Sequence, residues 1–173
     1  ACLPERIFKQ HALLEASDAD VVGSNALIFQ SATGVQVGVT NFPVSHADID
    51  AAIRRGEHGV LHPTVMARAD LFKCHLYVQE NVPAEDYDIF ARMLRSGARF
   101  SNIPEPLLRY RIHQRSASNV LPLSTIEKTY RIRDGIFGTS TSRFSVLHYY
   151  LHIKSYRKSI FAKSLLPRIL FLA

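Results

Sequence analysis

Cysteine is scarce in this chain, with only Cys2 and Cys74 among 173 residues. Two cysteines are too few for a disulfide framework, so the sequence predicts a protein of a reducing compartment. Long apolar runs are also missing, since every such run falls short of the ~20 residues that a membrane span requires. No charged-then-apolar signal segment is visible either. These absences favour a cytoplasmic protein without a membrane-spanning helix.

Acidic residues are scarce in one part of the chain only. Residues 1–120 carry 12 Lys and Arg against 13 Asp and Glu, whereas residues 121–173 carry 9 against 2. The net charge of +6 therefore comes from the C-terminal third. Because this segment is basic and aromatic but has no nucleic-acid recognition motif, we expect it to contact an anionic membrane surface, and we expect no nucleic-acid binding. The alternative is a helical extension that packs on its own domain.

Helix and strand patterns alternate through the first part of the domain that we expect over residues 1–120. The sequence predicts a helix that opens at Pro4 and a β-hairpin that turns at Gly34. A second helix is predicted to begin at Ser45 and to end at Gly56, because these residues are favoured as helix caps. A strand interrupted by proline is expected over residues 61–66.

The second part of the chain continues with one strongly amphipathic helix. Apolar residues at spacings of three and four predict a helix over Glu85 to Arg95. Two short strands are expected at residues 100–103 and 107–112, on either side of two prolines. Residues 121–173 are predicted to form a helical, basic extension, beginning with a capping box made by Ser124 and Glu127.

Three carboxylates occur within four positions at the start of the amphipathic helix, at Glu85, Asp86 and Asp88. Acidic residues are favoured in the first turn of any helix, because they complement the helix dipole and the free backbone amides. A structural role is therefore the simpler interpretation of this segment alone. The alternative is that one carboxylate faces a cleft and acts as a general base toward a hydroxyl group.

Flanking segments favour the functional interpretation. Residues 62–68 are HPTVMAR, residues 84–92 are AEDYDIFAR, and residues 109–113 are RYRIH. Earlier in the chain, residues 4–10 are PERIFKQ and residues 20–24 are DVVGS. In this order and spacing, the segments resemble the C-terminal half of family 2 glycosyltransferases, with their HPTxMxR, AEDYDLWxR, Y-R-x-H and PERLxxQ patterns. The resemblance covers about residues 3–118, and the combination is more specific than any single segment.

The resemblance implies a fold, a reaction and a catalytic residue. The fold would be a mixed-sheet α/β fold of the glycosyltransferase A type. The reaction would be inverting transfer of a sugar from a nucleotide-sugar donor to a hydroxyl of a glycan or lipid-linked acceptor, as in surface polysaccharide synthesis at the inner face of a membrane. Asp86 matches the general base of the family, because an ionised carboxylate can take the acceptor proton as the new bond forms. Glu85 would orient this base or bind the acceptor.

The same resemblance predicts four further site residues. His113 matches a histidine that reaches the divalent metal on the donor diphosphate, and an imidazole suits Mn²⁺ better than Mg²⁺. His62, Thr64 and Arg111 are expected to bind substrate. For each of the four, a structural or solvated side chain is the alternative interpretation.

The chain also departs from the family pattern. The nucleotide-binding half, which in the family precedes the PERLxxQ segment and ends in an Asp-x-Asp metal motif, is expected to be missing, so that this chain is the acceptor-side half. Residues 72–77, FKCHLY, lack the paired glycines that many members carry before the acidic motif. The alternative function is therefore a truncated, non-catalytic remnant that binds a glycan or a protein.

Overall fold

The computed structural model describes residues 1–113 and 122–153. Its helices are α1 (Arg6–Ala16), α2 (His46–Arg55), α3 (Ala69–Cys74), α4 (Glu85–Arg95), α5 (Leu123–Phe137) and α6, which starts at residue 143 and is described through residue 153. Its strands are β1 (Val21–Gln30), β2 (Gln36–Val39), β3 (Met66–Ala67) and β4 (Phe100–Ile112). Short 3-10 turns lie at His62–Thr64 and Gln79–Asn81. The protein is therefore α/β, as predicted.

The four strands form an open, mixed sheet around β1. Strand β1 pairs antiparallel with β2 and β3 and runs parallel to β4, from Val21 opposite Phe100 to Gln30 opposite Ile112. The predicted hairpin is confirmed, and Gly34 lies in its turn with a φ of 67°. The two strands predicted after α4 are one continuous strand. Register shifts opposite residues 24–26 accommodate its prolines, which a regular ladder would exclude because proline has no amide proton.

The predicted caps are partly confirmed. At α2, the Ser45 hydroxyl accepts from the Asp48 amide at 3.2 Å, and Gly56 ends the helix in the left-handed conformation. The strand predicted over residues 61–66 is wrong: the chain forms the 3-10 turn there, and only Met66–Ala67 pairs with β1. The capping box is also wrong, because α5 begins one residue before Ser124 and has no side-chain cap.

The main core lies between β1, β4, α2 and α4. Its buried residues include Val21, Ile49, Ile89, Met93 and Phe100. Three apolar residues of α5 pack against this core: Ile132, Ile136 and Phe137. The described part of the C-terminal extension therefore contributes to the hydrophobic interior of the domain and closes over α4.

Strands β1 and β4 approach closely at Gly23. The buried side chain of Asn102 lies beside this glycine and donates to the carbonyls of Pro43 at 2.6 Å and Gly59 at 2.8 Å. A Cβ atom at Gly23 would overlap the amide oxygen of Asn102. Glycine is therefore required here to let one amide side chain join the sheet to two loops.

Candidate active site

A cavity of about 660 Å³ opens at the N-terminus of α4. One wall carries the carboxylates of Glu85 and Asp86 together with His62. A second wall is made by α5 and α6, through Thr125, Tyr149 and Ile153. The structure therefore places three of the six predicted site residues in one concave surface, next to side chains from the C-terminal extension.

The three carboxylates at the start of α4 lie in different environments. Asp86 is half-buried and accepts a hydrogen bond from the Tyr87 amide at 2.8 Å. Asp88 is only 3 % exposed and forms an ion pair with Arg92 at 2.8 Å, and the same guanidinium donates to the carbonyl of Leu76 at 2.6 Å. Asp88 thus holds the preceding loop onto α4, which leaves Glu85 and Asp86 as the carboxylates of the cavity.

His62 contacts two aromatic side chains, Tyr77 and Phe90. Its Nε2 atom lies 2.9 Å from the hydroxyl of Tyr77, and its ring meets that of Phe90 edge to face at 5.7 Å between centroids. Partial burial raises the pKa of Tyr77, and the negative charges of Asp86 and Glu85 raise it further. The phenol therefore stays protonated at neutral pH, with a hydroxyl available to the imidazole.

Buried hydrogen bonds attach the His62 turn to the sheet. The fully buried amide of Gln10 donates to the carbonyls of Val22 at 2.8 Å and Thr64 at 2.7 Å. Thr64 is also fully buried; its hydroxyl donates to the Leu61 carbonyl and accepts from the Ser24 amide. The structure gives Thr64 a structural role beneath the turn, and it explains the glutamine of the PERIFKQ segment as an anchor of the site.

Arg111 and His113 are not brought to this cavity. Arg111 lines a separate pocket of about 560 Å³ with Phe29 and Arg109. His113 is exposed and follows the end of β4. Tyr110, the residue before Arg111, lines both this pocket and the cavity that contains Asp86. Arg111 therefore lies in a pocket that shares Tyr110 with this cavity, and His113 lies beyond the end of β4.

The described residues do not form a metal centre by themselves. Within residues 1–113 and 122–153, no three His, Cys, Asp or Glu side chains lie together in a way that could hold a metal ion. His113 is a single imidazole and fits a metal only as one ligand among others. The same part of the chain contains no helix that is both long and apolar enough to cross a membrane.

Sequence reasoning did not anticipate the wall made by α5 and α6. Thr125 and Ile126 reach the cavity from α5, and Tyr149 and Ile153 reach it from α6. The ring of Tyr149 meets that of Tyr130 edge to face at 5.6 Å between centroids. The available signal was a threonine pair four residues apart, at positions 125 and 129, on the buried face of α5.

Comparison with known proteins shows similarity to glycosyltransferases. The chain is 29% identical over 116 residues to the O-antigen biosynthesis glycosyltransferase WbnJ of Escherichia coli, which covers 66% of this chain and 44% of the relative. It is 29% identical over 110 residues to the amylovoran biosynthesis glycosyltransferase AmsE of Erwinia amylovora, covering 64% of this chain and 41% of the relative. An uncharacterized glycosyltransferase of Methanocaldococcus jannaschii is 34% identical over 59 residues, which are 34% of this chain and 20% of that protein.

The similarity covers only part of each relative. The chain spans less than half the length of the curated relatives it matches. No protein-family model matches it, and no solved structure matches it. The comparisons therefore show that the chain is similar to glycosyltransferases of polysaccharide biosynthesis. The α/β fold with its mixed open sheet is compatible with this similarity.

Proposed function

We propose that this chain forms the acceptor side of an inverting glycosyltransferase of family 2, with a glycosyltransferase A fold. One observation carries the proposal: Asp86 and Glu85 open onto a cavity beside His62, whereas Asp88 on the same turn is bound in an ion pair. The similarity to two polysaccharide-biosynthesis glycosyltransferases supports the reaction class. The donor is a nucleotide sugar, and the acceptor is a glycan or a lipid-linked glycan.

In this reaction, Asp86 acts as the general base. An acceptor hydroxyl in the cavity gives its proton to the Asp86 carboxylate while its oxygen attacks the anomeric carbon of the donor sugar. The new C–O bond forms as the bond to the nucleoside diphosphate breaks, and the leaving diphosphate takes the electron pair. Attack from the opposite face inverts the anomeric configuration. The hydrogen bond from the Tyr87 amide holds the base at the cavity wall and costs no reorganisation during the reaction.

Few of the described residues are candidates for binding the donor and the metal. A divalent ion, Mn²⁺ or Mg²⁺, would neutralise the donor diphosphate, and His113 remains the predicted ligand from this chain. Arg111, exposed in the pocket beside Tyr110, remains a predicted contact of the substrate.

A transfer assay tests the proposal. The complete gene product is incubated with labelled UDP-sugars and GDP-sugars and with a panel of oligosaccharide and lipid-linked oligosaccharide acceptors, with Mn²⁺ present. We expect transfer by the wild type, with product of inverted anomeric configuration, and loss of transfer in Asp86→Asn with unchanged binding of UDP or GDP by calorimetry. Normal turnover of Asp86→Asn would exclude this residue as the base. A wild type that binds glycan and transfers nothing would favour the non-catalytic binding module.

We also propose that the C-terminal segment contacts an anionic membrane surface. Helix α6 exposes an apolar stripe of Phe144, Leu147 and Leu151, and the first of these is 84% exposed. Basic and aromatic residues alternate in the sequence that follows, although residues 154–173 lie outside the described part of the structure. An apolar stripe next to basic residues is the arrangement that interfacial helices use.

Vesicle co-sedimentation tests this contact. We expect the protein to sediment with phosphatidylglycerol vesicles and not with phosphatidylcholine vesicles, and salt should weaken the binding because charges contribute to it. Phe144→Asp should reduce sedimentation. Equal binding by this variant, or equal binding to both vesicle types, would contradict the proposal.

A further inference from the structure

Two polar atoms of the cavity residues are buried without a hydrogen-bond partner. They are the Oε2 atom of Glu85 and the hydroxyl oxygen of Thr125. Thr125 is only 8% exposed and lies on α5, outside the segments that carry the family resemblance. Buried polar atoms are nearly always paired, because an unpaired one forfeits its hydration without compensation. Two such atoms on residues that line one cavity therefore call for a common explanation.

The neighbouring threonine shows that Thr125 differs from an ordinary helix threonine. Thr129 lines the same cavity one turn later, but its hydroxyl donates to the Thr125 carbonyl at 3.0 Å. This bond within the helix is the usual way for a buried threonine to satisfy its hydroxyl. Thr125 lies in the first turn of α5, where the helix offers no carbonyl four residues earlier, and its buried hydroxyl has no hydrogen-bond partner. Its hydrogen-bonding capacity is therefore unused.

We propose that Thr125 and Glu85 together bind a ring hydroxyl of a neutral sugar at the acceptor end, in a subsite completed by α5 and α6. This inference rests on the proposed function. A sugar hydroxyl is both a donor and an acceptor, so it can donate to Glu85 Oε2 and accept from the Thr125 hydroxyl. Since both atoms are covered in this structure, binding involves a change of side-chain rotamer that turns them toward the ligand.

The rest of the cavity fits the same ligand class. Glu85 and Asp86 give the wall negative charge, which repels a uronic acid or a phosphate and accepts hydrogen bonds from neutral hydroxyls. On the wall made by α5 and α6, Tyr149 and Ile153 offer apolar surface to the ring carbons of a sugar. Thr125 is thus a specificity residue supplied by a helix that carries no recognisable glycosyltransferase motif.

Glycoside binding by the whole chain tests the subsite without requiring transfer. Methyl glycosides of glucose, galactose and N-acetylglucosamine, and methyl glucuronide as the charged probe, are titrated at millimolar concentrations while threonine methyl signals are followed by NMR. We expect at least one neutral glycoside to bind and the glucuronide to bind more weakly. Thr125→Val should raise the Kd of the neutral glycoside about tenfold, whereas Thr125→Ser, which keeps the hydroxyl, should stay within about twofold.

Two controls separate binding from folding. Thr129→Val removes a hydroxyl of the same cavity lining that is already paired, and it should raise the Kd less than Thr125→Val does. The Tm of Thr125→Val should equal or exceed that of the wild type, because valine removes a buried hydroxyl that has no partner. An unchanged Kd in Thr125→Val would overturn the inference, as would a weakened Kd accompanied by a matching loss in Tm, or a wild type that binds no neutral glycoside. If Thr125→Val behaves as expected while Asp86→Asn transfers normally, the subsite stands and the proposed base fails.

Discussion

The two walls of the cavity are held in different ways. The wall that carries His62 and the carboxylates is fixed to the sheet by buried hydrogen bonds, with the Gln10 amide bonded to both β1 and the turn. The wall made by α5 and α6 is held mainly by side-chain packing around Ile126, Tyr130 and Val146, to which Lys128 adds exposed hydrogen bonds to the carbonyls of Glu80 and Val82. Hydrogen bonds fix atoms to within tenths of an ångström, whereas apolar packing tolerates exchange of one side chain for another of similar volume. The first wall is therefore suited to chemistry, and the second to variation in ligand choice.

The largest expected effect separates two carboxylates at the start of α4, Asp86 and Asp88. Asp86→Asn should lower kcat by about 100-fold or more, because it removes the general base. Its Tm should change little, since the amide oxygen of asparagine can still accept from the Tyr87 amide. Both quantities are obtained from transfer assays and thermal melts of the complete gene product.

Asp88→Asn is the matched control on the same turn of α4. It weakens the buried ion pair with Arg92, so the free energy of unfolding should fall by about 2 kcal/mol while most of the transfer activity remains. Loss of transfer in Asp88→Asn at full stability would show that the two carboxylates have been assigned the wrong way round.

The anchoring of the first wall is tested at Gln10. Gln10→Leu leaves the buried carbonyls of Val22 and Thr64 without their donor, and we expect the free energy of unfolding in urea to fall by about 3 kcal/mol. Lys9→Ala, at the neighbouring position, breaks only an exposed ion pair with Glu105 and should leave the urea midpoint unchanged. Similar midpoints for the two variants would mean that the hydrogen bonds of Gln10 do not anchor the wall.

The packed interface between the walls should make the protein sensitive to alkali. Burial raises the pKa of Tyr87 on α4 and of Tyr130 on α5 above the ordinary value of 10.0. Below pH 10 both phenols are protonated in the folded and the unfolded chain, so they add no pH dependence. Above it the unfolded chain loses protons that the folded chain retains, and the free energy of unfolding must fall as the pH rises.

Thermal melts between pH 8 and pH 11 check this dependence. Tyr87→Phe should lower the Tm at pH 8, because it deletes the hydrogen bond to the Ile53 carbonyl, and should show a shallower decline above pH 10. Parallel curves for the variant and the wild type would show that Tyr87 does not contribute to the alkaline transition.

The smallest expected effect concerns the partner of His62. Tyr77→Phe removes the hydroxyl that lies 2.9 Å from the imidazole and should lower kcat/KM about threefold, since one partly exposed hydrogen bond is lost. Tyr77→Ala also removes the ring that packs against His62, so its effect should be larger. Equal activity of Tyr77→Phe and the wild type would leave the ring contact as the sole role of this residue.

Local signals allowed much of the fold to be predicted. The helix over Glu85–Arg95 is confirmed, because its apolar spacing and the glycine that follows it are local properties of the chain. The single strand Phe100–Ile112 could not be predicted, because the prolines at 104 and 106 are tolerated only through bulges against β1. Whether a proline ends a strand depends on the partner strand, which the local sequence does not specify.

Some features of the candidate site could likewise be predicted from the sequence, and others required the structure. Asp86 and His62 could be singled out because they lie in recognisable segments, and the structure places them in one cavity. The structural role of Thr64 and the unpaired hydroxyl of Thr125 depend on hydrogen bonds between elements distant in sequence. A threonine carries no local signal that distinguishes a paired hydroxyl from an unpaired one, so these two roles required the three-dimensional structure.

The contact between Gly23 and Asn102 has a consequence for comparing related sequences. Because a Cβ atom at position 23 would occupy the space of the Asn102 amide oxygen, position 23 cannot gain a side chain while Asn102 is kept. A relative with alanine at the first position must carry a smaller residue at the second, and it must then bind the Pro43 and Gly59 loops by other means. The two positions should therefore vary together, and this covariation can be used to align distant relatives in which the acidic motif has diverged.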